Sequence, residues 1–377
     1  MTDNIITPAS LSLLKKLWKD TFRDSDSYIN LVFKRCFSPQ FTITRFDGEK
    51  PIAALYGIPY SFSTGGDAPL RGLYLCGLAT RPEYRRRGIM TDMLREVEKQ
   101  AGEAGFDFTF LIPADDGLRR YYNDRGYVNG TYRLTERFTS AHDFLHAGER
   151  IKFEVFRLRN DNKNLKNVLA EYCCGFEKRN CSGITRSKEQ FGIVIEENII
   201  SGGDVIYALD ENSKIGGIAF ISKDDEDYAE GEIEVRKIFY ENHTTWESIL
   251  QFIHDLYPDR PVELFLSPDQ CDDRKALWQP YLASDELNGR ASGNISPAGT
   301  VWKEIDSLKP YAMFRLLRRV EVESRMVEEN RMKAGAADGL SDLEFAEIIW
   351  RRPVADKLVD ESLQIGWLPS DVSLMLD

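Results

Sequence analysis

The sequence predicts an α/β (α+β) protein built from repeated strand–helix units and a smaller C-terminal segment. Three observations carry this. An apolar strand from about Gly72 to Thr80 runs into a short basic turn and a helix that opens at Gly88. A second apolar strand, 106–113, leads into a short helix ended by a glycine. A similar alternation returns between residues 165 and 240, without the basic turn.

The elements follow in order. Leu11-Ser-Leu-Leu-Lys-Lys-Leu-Trp18 is an amphipathic helix, and Ser27–Phe33 reads as a second. Phe41–Phe46 and Pro51–Ser63 are strands joined at Asp47-Gly48, a hairpin signal. Pro82 closes the strand that ends at Thr80, because proline cannot donate to a sheet ladder. From Gly88 the apolar residues Ile89, Met90, Met93, Leu94 and Val97 recur at helical spacing, to about Ala104. Thr91 and Asp92 are expected to cap this helix. After strand 106–113, a helix from Asp115 stops at Gly126, and a strand from Tyr127 to Phe138 closes the unit.

Arg85, Arg86, Arg87 and Gly88 therefore stand at a helix N-terminus. Free backbone N–H groups, the positive end of the helix dipole and three guanidinium groups suit a pyrophosphate. Gly88 lets a ligand approach the backbone, having no Cβ. A solvated turn or a nucleic-acid patch has the same composition, and the strand–glycine–helix context favours the anion site. The turn lacks the Lys-Ser/Thr ending of a Walker loop and the Gly-x-Gly of a dinucleotide loop.

Arg85-x-x-Gly88 after a strand resembles the acetyl-CoA signature of the GNAT N-acetyltransferase superfamily, Gln/Arg-x-x-Gly-x-Gly/Ala, with Met90 at the last small position. Tyr121-Tyr122 followed by Gly126-Tyr127 resembles a second GNAT motif. The resemblance implies that Leu78, Ala79, Thr80, Arg85, Arg86, Arg87, Gly88, Ile89, Met90 and Thr91 bind acetyl-CoA. It also implies that Tyr122 protonates the departing thiolate. A buried aromatic with a bonded hydroxyl is the alternative for either tyrosine.

Arg-Arg-Arg-Gly before two large apolar residues is similar to the Eis-like (enhanced intracellular survival) branch. That likeness implies tandem GNAT folds, the second degenerate, and a sterol-carrier-like end. The boundaries are then 1–140 for the acetyl-CoA-binding unit, 141–290 for the degenerate unit and 291–377 for a shortened last domain. Strands are expected at Asp204–Leu209, Lys214–Ile221 and Gly231–Tyr240, with a helix at Leu165–Glu177. The last strand corresponds to the cofactor strand, yet Tyr240-Glu-Asn-His-Thr-Thr-Trp246 has no Arg-x-x-Gly. Pro310–Val320 resembles the opening of the sterol-carrier-like domain. The likeness also implies that the terminal carboxylate is the base, here that of Asp377 after the apolar run Val372–Leu376, a merely exposed terminus being the alternative.

The implied activity moves acetyl from acetyl-CoA to a primary amine by direct attack, with no metal. A GNAT-fold sensor or scaffold that binds acetyl-CoA without turnover is the alternative, and a carrier of small apolar molecules is a further class. The acceptor is expected to be a small molecule or peptide, and the sequence leaves a homo-oligomer open.

Composition fits. The chain has 377 residues, 42% of them hydrophobic, and a net charge of −12. Residues 1–140 hold 20 Lys and Arg against 17 Asp and Glu, so they are mildly basic and the remainder is at −15. The first part suits a phosphate-rich cofactor, the second attracts a cationic acceptor and disfavours nucleic acid. No apolar run reaches membrane-span length and the start lacks a signal-peptide pattern, which predicts a cytoplasmic chain with no membrane partner. The six cysteines show no paired framework, so reduced thiols are expected. His142 and His146 lack a third ligand, Cys173, Cys174 and Cys181 lack zinc spacing, and 223–227 reads as a solvated acidic turn.

Overall fold

The computed structural model describes residues 8–63, 69–138, 151–156, 162–180, 183–223, 231–266, 294–295, 301–328, 340–342 and 345. Two sheets organise them. The chain opens with α1 (Pro8–Phe22), α2 (Asp26–Arg35), β1 (Thr42–Asp47), β2 (Lys50–Ser63) and β3 (Leu70–Thr80). Then come α3 (Ile89–Glu103), β4 (Phe108–Leu111), α4 (Asp116–Asn123), β5 (Val128–Asn129) and β6 (Tyr132–Phe138). Next are β7 (Lys152–Phe156), α5 (Lys163–Asn180), β8 (Gly183–Thr185), α6 (Lys188–Ile200), β9 (Asp204–Leu209), β10 (Ile215–Lys223) and β11 (Ile233–Tyr240). The rest are α7 (His243–Leu256), β12 (Val262–Leu266), β13 (Asn294–Ile295), β14 (Val301–Pro310), β15 (Met313–Leu316) and α8 (Arg319–Glu328).

The first sheet runs β1-β2-β3-β4-β15-β5, with β8 also paired to β2. Helices cover both faces, so β2 reads as a nearly continuous apolar run. Its period of two still sorts the side chains. Tyr56, Ile58, Tyr60 and Phe62 join Leu17, Trp18 and Phe33 on the α1–α2 side. Ala53 and Leu55, with Leu73 and Leu75 of β3, meet Met93, Leu94 and Val97 of α3.

The second sheet runs β13-β14-β6-β12-β11-β10-β9-β7. Its centre repeats the first. β9, β10 and β11 are antiparallel and β11 is parallel to β12, as β1, β2 and β3 are antiparallel and β3 is parallel to β4. In both sheets the third strand carries one extra residue against the second.

The expected strand Tyr127–Phe138 is two strands in different sheets. β5 stays in the first, and β6 crosses to pair with β12 and β14. The break falls after Asn129-Gly130, a turn dipeptide. In the opposite direction, β14 passes into β15, which lies between β4 and β5. The two crossings travel together. Gly130 N–H donates to the Ala312 carbonyl (3.1 Å) and Tyr311 N–H to the Thr131 carbonyl (2.8 Å). The Thr131 hydroxyl accepts from Ala312 N–H at 2.8 Å. Residues 301–316, read from sequence as the approach to and opening of a separate segment, thus run through both sheets.

Asp107 locks α8 to this arrangement. Its carboxylate is buried, accepts from Arg71 N–H (2.8 Å) and faces Arg318 (3.6 Å) and Arg325 (3.4 Å). Cys36, Cys76, Cys173 and Cys174 are free thiols. His142, His146, Cys181, Cys271, the linker 139–150, residues 224–227 of the acidic run and the end to Asp377 lie outside the described residues. No described helix is long and apolar enough to cross a membrane.

Candidate active site

The site forms where β3 and β4 part. Their parallel ladder pairs Gly72, Leu73 and Tyr74 with Phe108, Thr109 and Phe110. β3 then continues to Thr80, while β4 ends at Leu111. In that continuation Gly77 has φ of +58°, and a Cβ there would stand 2.4 Å from the Trp18 ring and 2.7 Å from the Tyr56 ring. Only glycine makes this bulge, which turns β3 away from its regular register. An isolated glycine inside an apolar strand was the sequence signal for it. Beyond the bulge, Leu78 and Thr80 are half-buried and Ala79 is buried opposite Ala54.

The basic turn is pinned from below. Arg81 Nε donates to the Pro51 carbonyl (2.8 Å), and Tyr84 Oη donates to Asp47 (2.5 Å). Lys50 Nζ donates to Glu83 (2.7 Å). Arg85 Nε reaches the Thr80 carbonyl (3.0 Å), and Arg87 donates to the Glu83 carbonyl (2.7 Å). Arg85, Arg86, Arg87 and Gly88 are exposed. Arg86 and Gly88 have φ of +62° and +80°, and the space around Gly88 is open within 4 Å of an ideal Cβ.

Thr91 and Asp92 do not cap α3, contrary to the sequence expectation. Gly88 is the N-cap and no side chain bonds there. Ser25, Asp115, Ser187 and Asn242 do cap α2, α4, α6 and α7. The physical reason is that Thr91 Oγ1 is engaged by Arg125 and Asp92 pairs with Arg95 at 3.2 Å. The first-turn N–H groups of α3 thus face the open space at Gly88 without a side-chain acceptor. Ile89 and Met90 are half-buried and pack against the α3 cluster.

α4 brings the tyrosines to the same end of the sheet. Tyr122 is 6% exposed and packs edge-on between Tyr121 (5.2 Å) and Tyr127 (5.8 Å). Burial pushes its phenol well up, against a smaller opposing effect of Arg125. Tyr121 Oη lies 3.3 Å from Thr91 Oγ1, which joins α4 to the first turn of α3. Tyr127 Oη donates to Glu98 (3.1 Å), whose other oxygen faces Arg315 Nε of β15 (3.2 Å). Burial raises the Glu98 carboxyl. Leu78–Thr80, the basic turn, Thr91 and Tyr122 are brought to one end of the first sheet. Asp377 lies outside the described residues.

Residues 5–129 match the family model described as an acetyltransferase (GNAT) domain. That stretch, about a third of the chain, is similar to a GNAT acetyltransferase domain. Among solved structures, the fold resembles a conserved protein of Enterococcus faecalis, at 12% identity and a TM-score of 0.59, over 83% of this chain and 72% of that one. A GCN5-related N-acetyltransferase from Anabaena variabilis gives 14% identity and a TM-score of 0.59, over 82% and 71%. Eis1 from Mycobacterium abscessus gives 13% and 0.54, over 83% and 72%. These likenesses concern the fold. No curated protein matches the sequence.

The corresponding turn of the second sheet is built differently. β11 passes into α7 through Glu241-Asn242, and the Asn242 side chain accepts from Thr245 N–H at 2.8 Å. That helix start is capped by its own side chain and carries neither a glycine nor arginines like those at 85–88. Among the described residues, no group of three His, Cys, Asp or Glu could hold a metal.

Proposed function

We propose that the chain is an acetyl-CoA-dependent N-acetyltransferase acting on a primary amine, with one site at the parting of β3 and β4. The supporting observation is the open, uncapped start of α3 at Gly88, ringed by Arg85, Arg86 and Arg87. It fits a diphosphate: N–H donors, positive charge and no Cβ in the way. The repeated strand order of the second sheet supports reading it as a degenerate GNAT unit, with Asn242 filling the place of an anion.

Acetyl-CoA would supply an activated acetyl group, whose carbonyl carbon bonds to the neutral amine nitrogen as its C–S bond breaks. The nitrogen sheds its surplus proton to water, and water restores the proton that Tyr122 gives to the thiolate. The Leu78–Thr80 backbone offers N–H donors to the carbonyl oxygen as charge develops there. Tyr122 holds a proton for the leaving thiolate. Its burial keeps that proton in place at neutral and mildly alkaline pH, because a desolvated phenolate is disfavoured. The acidic remainder of the chain favours a cationic acceptor.

Tyr122→Phe keeps the ring and removes the proton donor. We expect kcat to fall about 10²-fold, with acetyl-CoA affinity little changed. Because its phenol is raised, Tyr122 stays protonated, so kcat should show no alkaline loss up to about pH 10. Steady-state kinetics on an amine panel measures both. An unchanged kcat in the phenylalanine variant moves the acid to another group.

A further inference from the structure

We propose that Arg125 is a second phosphate-binding residue of this site, reading the cofactor diphosphate from the α4 side while the 85–88 turn holds it from the other. The inference rests on the acetyl-CoA reading above and extends it to a residue outside the signature motif.

The geometry is specific. Arg125 Nε and Nη2 both donate to Thr91 Oγ1, at 3.1 and 2.9 Å, and Nη1 donates to the Tyr121 carbonyl at 2.6 Å. The guanidinium lies 3.4 Å from the centre of the Tyr121 ring. Thr91 is the third residue of α3 after the Gly88 N-cap, so the cation is held against the turn that carries the uncapped N–H groups. A guanidinium has five N–H bonds. The three contacts named leave one N–H on each terminal nitrogen, the fork that meets two phosphate oxygens.

Charge balance points the same way. In this unit Arg45, Arg81, Arg95, Arg119 and Arg315 each face a carboxylate. Arg125 pairs with none among the described residues; its fixed contacts are neutral oxygens and a ring. A half-buried cation held rigidly and left without an anion beside a helix N-terminus is suited to receive one. The ring stack also ties that cation to α4, which carries Tyr122. The same contact that reads the phosphate therefore sets the helix bearing the proposed acid.

The test is calorimetric binding of CoA to the full chain at low and high salt, with Arg125→Gln and Arg125→Lys. We expect the glutamine variant to bind about tenfold more weakly at low salt, by loss of a charged hydrogen bond. The lysine variant should stay within about threefold, and the gap between glutamine and wild type should narrow with added salt. Unchanged binding in the glutamine variant overturns the proposal. So does an equal, salt-independent loss in both variants, since Arg125 would then only brace α4. Wild-type chain that fails to bind CoA overturns the acetyl-CoA reading and this inference together, whereas intact wild-type binding with an unaffected variant overturns only the role of Arg125.

Discussion

A chain ending after Ser140 will not fold into a stable unit, although it contains every residue matched by the GNAT family model. β15 arrives from beyond residue 300 and occupies the place between β4 and β5. Without it, Phe108–Leu111 presents a bare backbone edge and β5 has no partner in its sheet. Met313 and Phe314 are fully buried, and Phe314 stacks on Phe110 at 5.5 Å and meets Phe62 and Phe108 edge-on or tilted. Emptying one buried phenylalanine site costs about 3–5 kcal/mol. Against a total stability of about 5–15 kcal/mol, the loss of a whole strand is decisive. The truncated chain should aggregate, or show dye binding without near-ultraviolet dichroism. In the full chain, Phe314→Ala should lower the urea midpoint sharply with little change in slope. Cooperative unfolding of the 1–140 fragment would contradict the role given to β15.

Gly88→Asp should abolish measurable acetyl-CoA binding while leaving the fold intact. The new side chain meets open space, so packing does not object. A left-handed φ of +80° costs a non-glycine residue about 1–2 kcal/mol. A carboxylate about 4 Å from a phosphate adds about 1–4 kcal/mol of repulsion. Together these imply an affinity loss of about 10²-fold or more. Gly88→Ala carries only the backbone cost and should lose about tenfold. Calorimetry should also give one site per wild-type chain, because the start of α7 is closed by Asn242. Two equivalent sites would refute the reading of the second unit.

Most of the first unit was legible because its signals are local. The Asp47-Gly48 hairpin, the apolar strand before the basic turn and the helical spacing after Gly88 each need only neighbouring residues. α6 was not legible. Phe191, Gly192, Ile193, Val194 and Ile195 are all buried, so the helix has no polar stripe to betray its period. β15 was illegible for a different reason. Four residues pair with strands about 200 positions earlier, and nothing in a short apolar run names a distant partner. At the site, Gly88 and Tyr122 stand in recognisable spacings. Arg125 does not, since its meaning lies in reaching Thr91 across two helices.

The crossing at Thr131 and Ala312 has a mechanical consequence. Two antiparallel chain segments leave one sheet and enter the other, bonded to each other all the way through. A single linker between the halves could swivel about a few dihedrals. A hydrogen-bonded ribbon rooted in both sheets cannot bend there without breaking its own ladder, so the halves should move as one body. Any ligand of the site would then have to come and go without clamshell opening between the halves.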